Sequence, residues 1–394
     1  MRRLTLLAFA VLCAAPLHAQ LTVRLTGVPG GTPSNAAIYI AGNFNRWHPA
    51  APGYRLQPDS GGHYTITLPD SVRGSIEFKF TLGSWDVVET SASGTDVANR
   101  TFMVPATGAA TYSGVVEHWK DAKKTVPRTP TATPRVSILS REFSIPQLGR
   151  TRRVWLYLPA DYATSTRTYP VLYMHDGQNV FDAATSYVGE WGVDETLDSL
   201  RTQGDSGVIV VAIDHGSEKR FDEYSPWKNA RYGGGEGDAY VDFIVHTLKP
   251  YIDTHYRTRR DAANTAIAGS SMGGLISLYA ALEYPDVFSK AGVFSPALWV
   301  APALVDYARE RARPLATRVS RPKLYFVSAE SEARSDEQVV VSEPLMAALA
   351  AAGYQIGKDL VVLNKADGAH SEWFWRREFP AAYEWLFKSS ASAN

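Results

Sequence analysis

The chain has almost no cysteine. Cys13 is the one thiol in 394 residues, and it lies in a segment that reads as an export signal. With that segment removed, disulfides, thiolate metal sites and a cysteine nucleophile are all excluded. Net charge is also missing: 40 Lys and Arg stand against 40 Asp and Glu. Such a chain lacks the basic stripe of a nucleic-acid binder. No run is apolar for long enough to span a membrane. No metal-ligand spacing and no phosphate-cradling glycine loop appears, so no cofactor is expected. Hydrophobic residues at 45% and charged ones at 20% exclude a largely disordered chain.

Residues 1–19 pair a basic start, Met1-Arg2-Arg3, with an apolar run from Leu4 to Leu17 that ends in small residues. That pattern predicts a signal peptide and a secreted or periplasmic protein. Residues 20–118 are short alternating runs, such as Leu21–Leu25, His63–Leu68 and Ile76–Phe80, separated by Gly, Pro, Asn and Asp clusters. They predict a small antiparallel, immunoglobulin-like β-sandwich. Residues 119–135 (WKDAKKTVPRTPTATPR) are rich in proline, threonine and cations and read as a linker. From 136 to 388 the texture changes. Val171–Met174, Val208–Ile213, Ala266–Ala268 and Leu324–Val327 are unbroken apolar runs, and helical stretches such as Tyr240–Ile252 and Leu275–Leu282 lie between them. Strands alternating with helices predict an α/β sheet covered on both faces. Residues 389–394 read as a frayed tail.

The chemistry concentrates in this second region. Gly269-Ser270-Ser271-Met272-Gly273-Gly274 follows a strand and opens a helix. This is the strand–turn–helix context in which a G-x-S-x-G turn exposes a serine nucleophile, here Ser271. Such folds order their triad Ser, then acid, then His, and of nine histidines only His370 follows Ser271. Its imidazole is suited to take the serine proton and return it to a leaving alcohol. The acid should follow the strand at Leu324–Ser328. Glu330 and Glu332 both do, about 7 Å apart in an extended chain. An oxyanion hole needs two backbone N–H groups. The candidates are Met272, directly after the nucleophile, and Gln178, in the loop after Val171–Met174.

The runs YPVLYMHDGQNVFD, IAGSSMGGLISLYAALEYPDVFSKAGVFSPALW and GAHSEWFWRREFP resemble the putative-esterase family of α/β-hydrolases. That family includes feruloyl esterases, enterochelin (siderophore) esterases, S-formylglutathione hydrolases and mycolyltransferases. The resemblance implies ester hydrolysis through an acyl-serine. It also favours Glu332 over Glu330, because family members carry the acid three residues after a small residue, here Ala329. The chain departs from the family in lacking the Gly-rich turn usual at that point. The loop from Asp222 to Gly237 either overhangs the site or is plain surface.

Ala41–Pro49 (AGNFNRWHP) and Phe78–Trp85 (FKFTLGSW) resemble starch- and glycogen-binding modules. The resemblance implies that Trp47 and Trp85 stack on sugar rings and that Lys79 bonds their hydroxyls. The competing reading places a tryptophan in a small core. The expectation is a secreted serine esterase acting on carbohydrate-linked feruloyl or acetyl esters, with a possible glucan ligand on the first domain. A periplasmic siderophore-ester hydrolase and a non-catalytic glycan-binding protein are the alternatives.

Overall fold

The computed structural model describes residues 20–33, 36–59, 61–120, 129–186, 189–315, 321–334 and 343–387. Residues 1–19, read above as an export signal and including Cys13, the linker residues 121–128 and the tail lie outside the described residues. The described residues fall into two compact units, 20–120 and 129–387.

The first unit contains a four-stranded sheet, a three-stranded sheet and a two-stranded ribbon. In the four-stranded sheet, Gln20–Gly27 lies between Tyr64–Thr67 and Ala109–Val115. The pairing with Ala109–Val115 is parallel, so the sheet is mixed rather than antiparallel throughout. The first long strand of the unit here pairs with its last, and no tight turn constrains their relative direction. In the three-stranded sheet, Gly74–Thr81 lies between Tyr39–Gly42 and Arg100–Val104, antiparallel to both. Alternation along these strands puts Val23, Leu25, Ile40, Ile76, Phe78 and Phe80 into one apolar core. Trp119 closes it from the ribbon, with its indole N–H donating to the Thr32 hydroxyl at 2.8 Å. Trp119 thus belongs to the first unit. Beyond residue 128 the chain is bound to the second: the Thr131 and Thr133 N–H groups donate to the Asp182 and Asp194 carboxylates.

The second unit is built on one eight-stranded sheet. Its strands are β1 (Val136–Ile145), β2 (Arg150–Tyr157), β3 (Val171–His175), β4 (Ile209–Ile213), β5 (Thr265–Ser270), β6 (Lys290–Phe294), β7 (Lys323–Ala329) and β8 (Leu360–Lys365). Their order is β1-β2-β4-β3-β5-β6-β7-β8. The six strands from β4 to β8 run parallel. The β1–β2 hairpin adds an antiparallel edge. Two separate apolar clusters use the strand alternation, one containing Tyr173, Val211 and Ile267 and the other Met174, Ala212 and Ala268. That is the two-faced burial expected of a parallel sheet. The strands are also in step at their ends. Ser270 pairs with Phe294, Phe294 with Val327 and Ala329 with Lys365. The segments that leave β5, β6, β7 and β8 therefore emerge together at one carboxyl edge, where ligands bind in open α/β sheets.

Phe78 is fully buried and meets Phe80 and Tyr112 edge to face. Phe78→Ala should destabilise the first unit by about 3–5 kcal/mol through the cavity it leaves. The melting midpoint should fall in a thermal scan, and an unchanged midpoint would contradict this packing.

Candidate active site

Ser271 stands between β5 and helix α1 (Met272–Glu283) at φ 56° and ψ −120°. A side chain rarely adopts such a backbone, so the neighbourhood has to impose it. It does so by leaving no room for alternatives. A Cβ on Gly269 would lie 2.9 Å from the Gly273 carbonyl carbon, and one on Gly274 would lie 2.9 Å from the Phe294 carbonyl oxygen. The Ser271 N–H donates to Phe294 O at 2.9 Å, and the Ala297 N–H donates to Ser271 O at 3.0 Å. The loop after β6 thus holds the turn from both sides. Ser271 itself is half-buried.

His370 lies in the loop between β8 and helix α2 (Glu372–Phe387). Its Nδ1 is 3.4 Å from Glu332 Oε2. Glu332 sits in a turn of 3-10 helix directly after β7 and is 7% exposed, whereas Glu330 faces solvent. The structure therefore pairs His370 with Glu332 and leaves Glu330 at the surface. Burial pushes the Glu332 carboxyl up. The His370 imidazole and the donated hydrogen bonds outweigh that and hold it below its ordinary value.

Met272 opens α1, so its N–H is one of the first-turn amides with no acceptor inside the helix. Gln178 lies in a turn of 3-10 helix, Gly177–Asn179, after β3. It is buried, its side-chain oxygen accepts the His215 N–H at 3.2 Å, and its carbonyl accepts the Thr185 hydroxyl. These bonds hold the Gln178 backbone and side chain in place. Gly177 permits the loop to sit this close, since a Cβ there would fall 2.9 Å from the backbone of Ala212 and Ile213.

A buried polar group that sequence reasoning missed adjoins this loop. Asp176, at φ 55°, is held by a bidentate pair from Arg220 at 2.7 and 2.8 Å. Glu372, two residues after His370, accepts from the Asn179 side chain at 3.3 Å. Burial is the main cause that lifts the Glu372 carboxyl to about 7. The Asp222–Gly237 loop is pinned by its own contacts. Glu223 is fully buried between Arg150 and Arg152, and the Asn229 side chain donates to Val300 O.

In the first unit, the chain from Gly42 to Trp47 forms a compact turn. Gly42 is required, because a Cβ would lie 2.4 Å from Glu77 O. Asn45 closes the turn by accepting from the Gly42 N–H and donating to Ile40 O. Arg46 and Trp47 then adopt left-handed φ of 58° and 57°. Trp47 and Trp85 are both half-exposed, with ring centroids 6.2 Å apart, so Trp47 does not fill the core. Lys79 corrects the expectation set for it. It is 5% exposed and its ammonium donates to Val97 O at 2.5 Å, so it is turned into the unit rather than toward a ligand.

The raised Glu372 value carries a pH signature. The folded state holds this proton more tightly than the unfolded chain does, so wild-type stability falls as pH rises from about 4.5 through 7. Glu372→Gln keeps the acceptor for Asn179 and removes the titration. The variant should be more stable than wild type at pH 8, by up to about 3 kcal/mol, and match it at pH 4. Parallel denaturant titrations at the two pH values decide this, and a difference that does not change with pH would contradict it.

The family model described as "Putative esterase" matches residues 145–386. An uncharacterized protein of Bacillus subtilis, YbbA, is 28% identical over 254 residues, which cover 61% of this chain and 94% of YbbA. An alpha-amylase of Niallia circulans is 45% identical over 106 residues, covering 27% of this chain and only 8% of the amylase. That likeness supports a starch-binding-like N-terminal domain. Among solved structures, siderophore hydrolase EstA from Aspergillus nidulans has the same fold. Its TM-score is 0.51 at 19% identity, over 66% of this chain and 96% of EstA. A family model spanning more than half of the chain, and the whole run from Ser271 through Glu332 to His370, makes this chain a member of the "Putative esterase" family and a carboxylic ester hydrolase.

Proposed function

We propose that the protein is an exported serine esterase that cleaves acyl groups from carbohydrate-linked esters through an acyl-serine intermediate. The observation that carries the mechanism is the close approach of His370 Nδ1 to a buried Glu332 carboxylate at the sheet edge where Ser271 turns.

In this reading Nδ1 of the imidazole faces Glu332 and Nε2 serves the Ser271 hydroxyl. His370 takes the serine proton as Ser271 Oγ attacks the ester carbonyl. The tetrahedral oxyanion accepts the Met272 and Gln178 N–H groups, dipoles already oriented before charge develops. Collapse breaks the bond to the alcohol, which leaves with the proton from His370. Water then repeats the sequence on the acyl-serine. It gives its proton to His370, and the carboxylic acid departs as Ser271 recovers its hydrogen. Glu332 stays ionised throughout, holding the imidazole in one tautomer and balancing the imidazolium.

The substrate class rests on the first unit. Two neighbouring, half-exposed tryptophans offer apolar faces of the kind that stack on pyranose rings, in a domain related in sequence to part of an amylase. A neutral polysaccharide ester needs no charged surface to attract it, which suits a chain of zero formal charge. The reading is an enzyme kept near polysaccharide by its first unit while its second removes acyl groups.

Turnover of p-nitrophenyl acetate should fall on the order of 10⁴-fold or more in Ser271→Ala and in His370→Ala. It should fall far more in Glu332→Ala than in Glu330→Ala. Substantial activity surviving in the Ser271 variant would sink the mechanism, and equal small losses at the two glutamates would place the acid elsewhere. A panel of feruloyl, acetyl-xylan, siderophore and simple aryl esters should show the highest kcat/KM on a carbohydrate-linked ester. A preference for the siderophore ester would replace the substrate assignment and leave the chemistry intact. The protein should co-sediment with insoluble starch and lose this in Trp85→Ala. Wild-type protein that stays in the supernatant would remove the glucan reading.

A further inference from the structure

Between Glu332 and the helix after His370 lies a buried hydroxyl that the proposed mechanism does not use. Ser295 leaves β6 at φ 41°, a left-handed conformation for a residue with a side chain, and is 2% exposed. Its N–H donates to Val327 O at 2.8 Å, which ties it to β7, the strand that carries Glu332. Its Oγ has two neighbours. The Trp375 indole N–H donates to it at 3.0 Å, and it stands 2.9 Å from Glu332 Oε1.

Donor and acceptor counting fixes the direction of this chain. An indole N–H donates only, so Ser295 accepts from Trp375 and has its single proton left for another partner. That partner is Glu332 Oε1, which also accepts the Ala329 N–H at 3.2 Å. Oε1 is thereby committed to two donors, and Oε2 is the oxygen facing His370 Nδ1 at 3.4 Å. Trp375 reaches both ends of the chain, since its ring also meets the His370 imidazole edge to face, with centroids 5.1 Å apart at 85°. One buried indole therefore sets the hydroxyl that sets the carboxylate, and at the same time packs the imidazole that the carboxylate orients.

The geometry points to Ser295 as a positioning residue, aimed by Trp375, that selects the Glu332 oxygen presented to His370. The inference rests on the proposed triad and deepens it. A carboxylate with both oxygens competing for donors samples several rotamers. One with an oxygen already bound at two points presents the other in a single direction, and that direction is what the imidazole must match in the transition state.

Ser295→Ala and Ser295→Gly separate this from a purely structural role. Glycine relieves the left-handed φ and alanine retains it, but both remove the hydroxyl. Both should lower kcat about tenfold, as expected for one lost hydrogen bond to a charged group, with KM within about twofold of wild type. Trp375→Phe preserves most of the ring and removes the N–H. It should lower kcat by a smaller factor, and Ser295→Ala combined with Trp375→Phe should lose clearly less than the product of the two single losses, because the indole N–H acts through the hydroxyl. Full kcat in Ser295→Gly, or multiplicative losses in the double variant, would overturn the inference. Ser271→Ala, assayed alongside, keeps the two levels apart. If it is inactive while the Ser295 variants are normal, only the positioning role fails. If it remains active, the triad reading fails with it.

Discussion

A serine held at φ 56° and ψ −120° is the constraint on which the rest of the catalytic unit depends. No local preference places a side chain there, and the conformation persists only where the surroundings remove the alternatives. In this protein the surroundings are backbone atoms. Gly269 meets Gly273, Gly274 meets the Phe294 carbonyl, and hydrogen bonds to Phe294 and from Ala297 close the turn from the neighbouring loop. The strain stored at Ser271 is offset by close packing of strand, helix and loop.

The second organising element is register. Because β5 to β8 run parallel and in step, the residues that leave them share an edge without being near in sequence. Ser271 leaves β5, Ser295 leaves β6, the Glu332 turn leaves β7 and the His370 loop leaves β8. Four consecutive strands thus each supply one polar group, and α2 returns to place Trp375 among them. The arrangement needs no charged surface and no thiol, which agrees with the balanced, almost cysteine-free composition.

How much could be read from the sequence depends on whether the determinants are local. The nucleophile turn was legible because its G-x-S-x-G spacing is local, even though Gly274 answers to the distant Phe294 carbonyl as well as Gly269 to Gly273. His370 was legible by elimination, as the one histidine downstream. The choice of Glu332 over Glu330 came only from resemblance, since both come after the same strand and their difference in burial arises from packing against β6 and α2. The β1–β2 hairpin passed unnoticed because Val136–Ile145 (VSILSREFSI) is an edge strand with several exposed positions, so its pattern is too polar to stand out. Ser295 and Trp375 lie inside the runs that carry the resemblance, but nothing local gives them a role, and their partnership exists only once strands and helix are assembled. Lys79 was misread because its neighbours in sequence resemble a sugar site, whereas burial along Gly74–Thr81 turns its ammonium toward Val97.

If Ser271 alone is activated among the serines of the chain, a serine-directed phosphonate ester should find it without guidance. The direct test is covalent labelling with such a reagent, followed by peptide mapping. The expected result is a single adduct on the peptide bearing Ser271, formed at a rate that collapses in His370→Ala. Labelling at another residue, or labelling of Ser271 that does not depend on His370, would contradict the proposed triad.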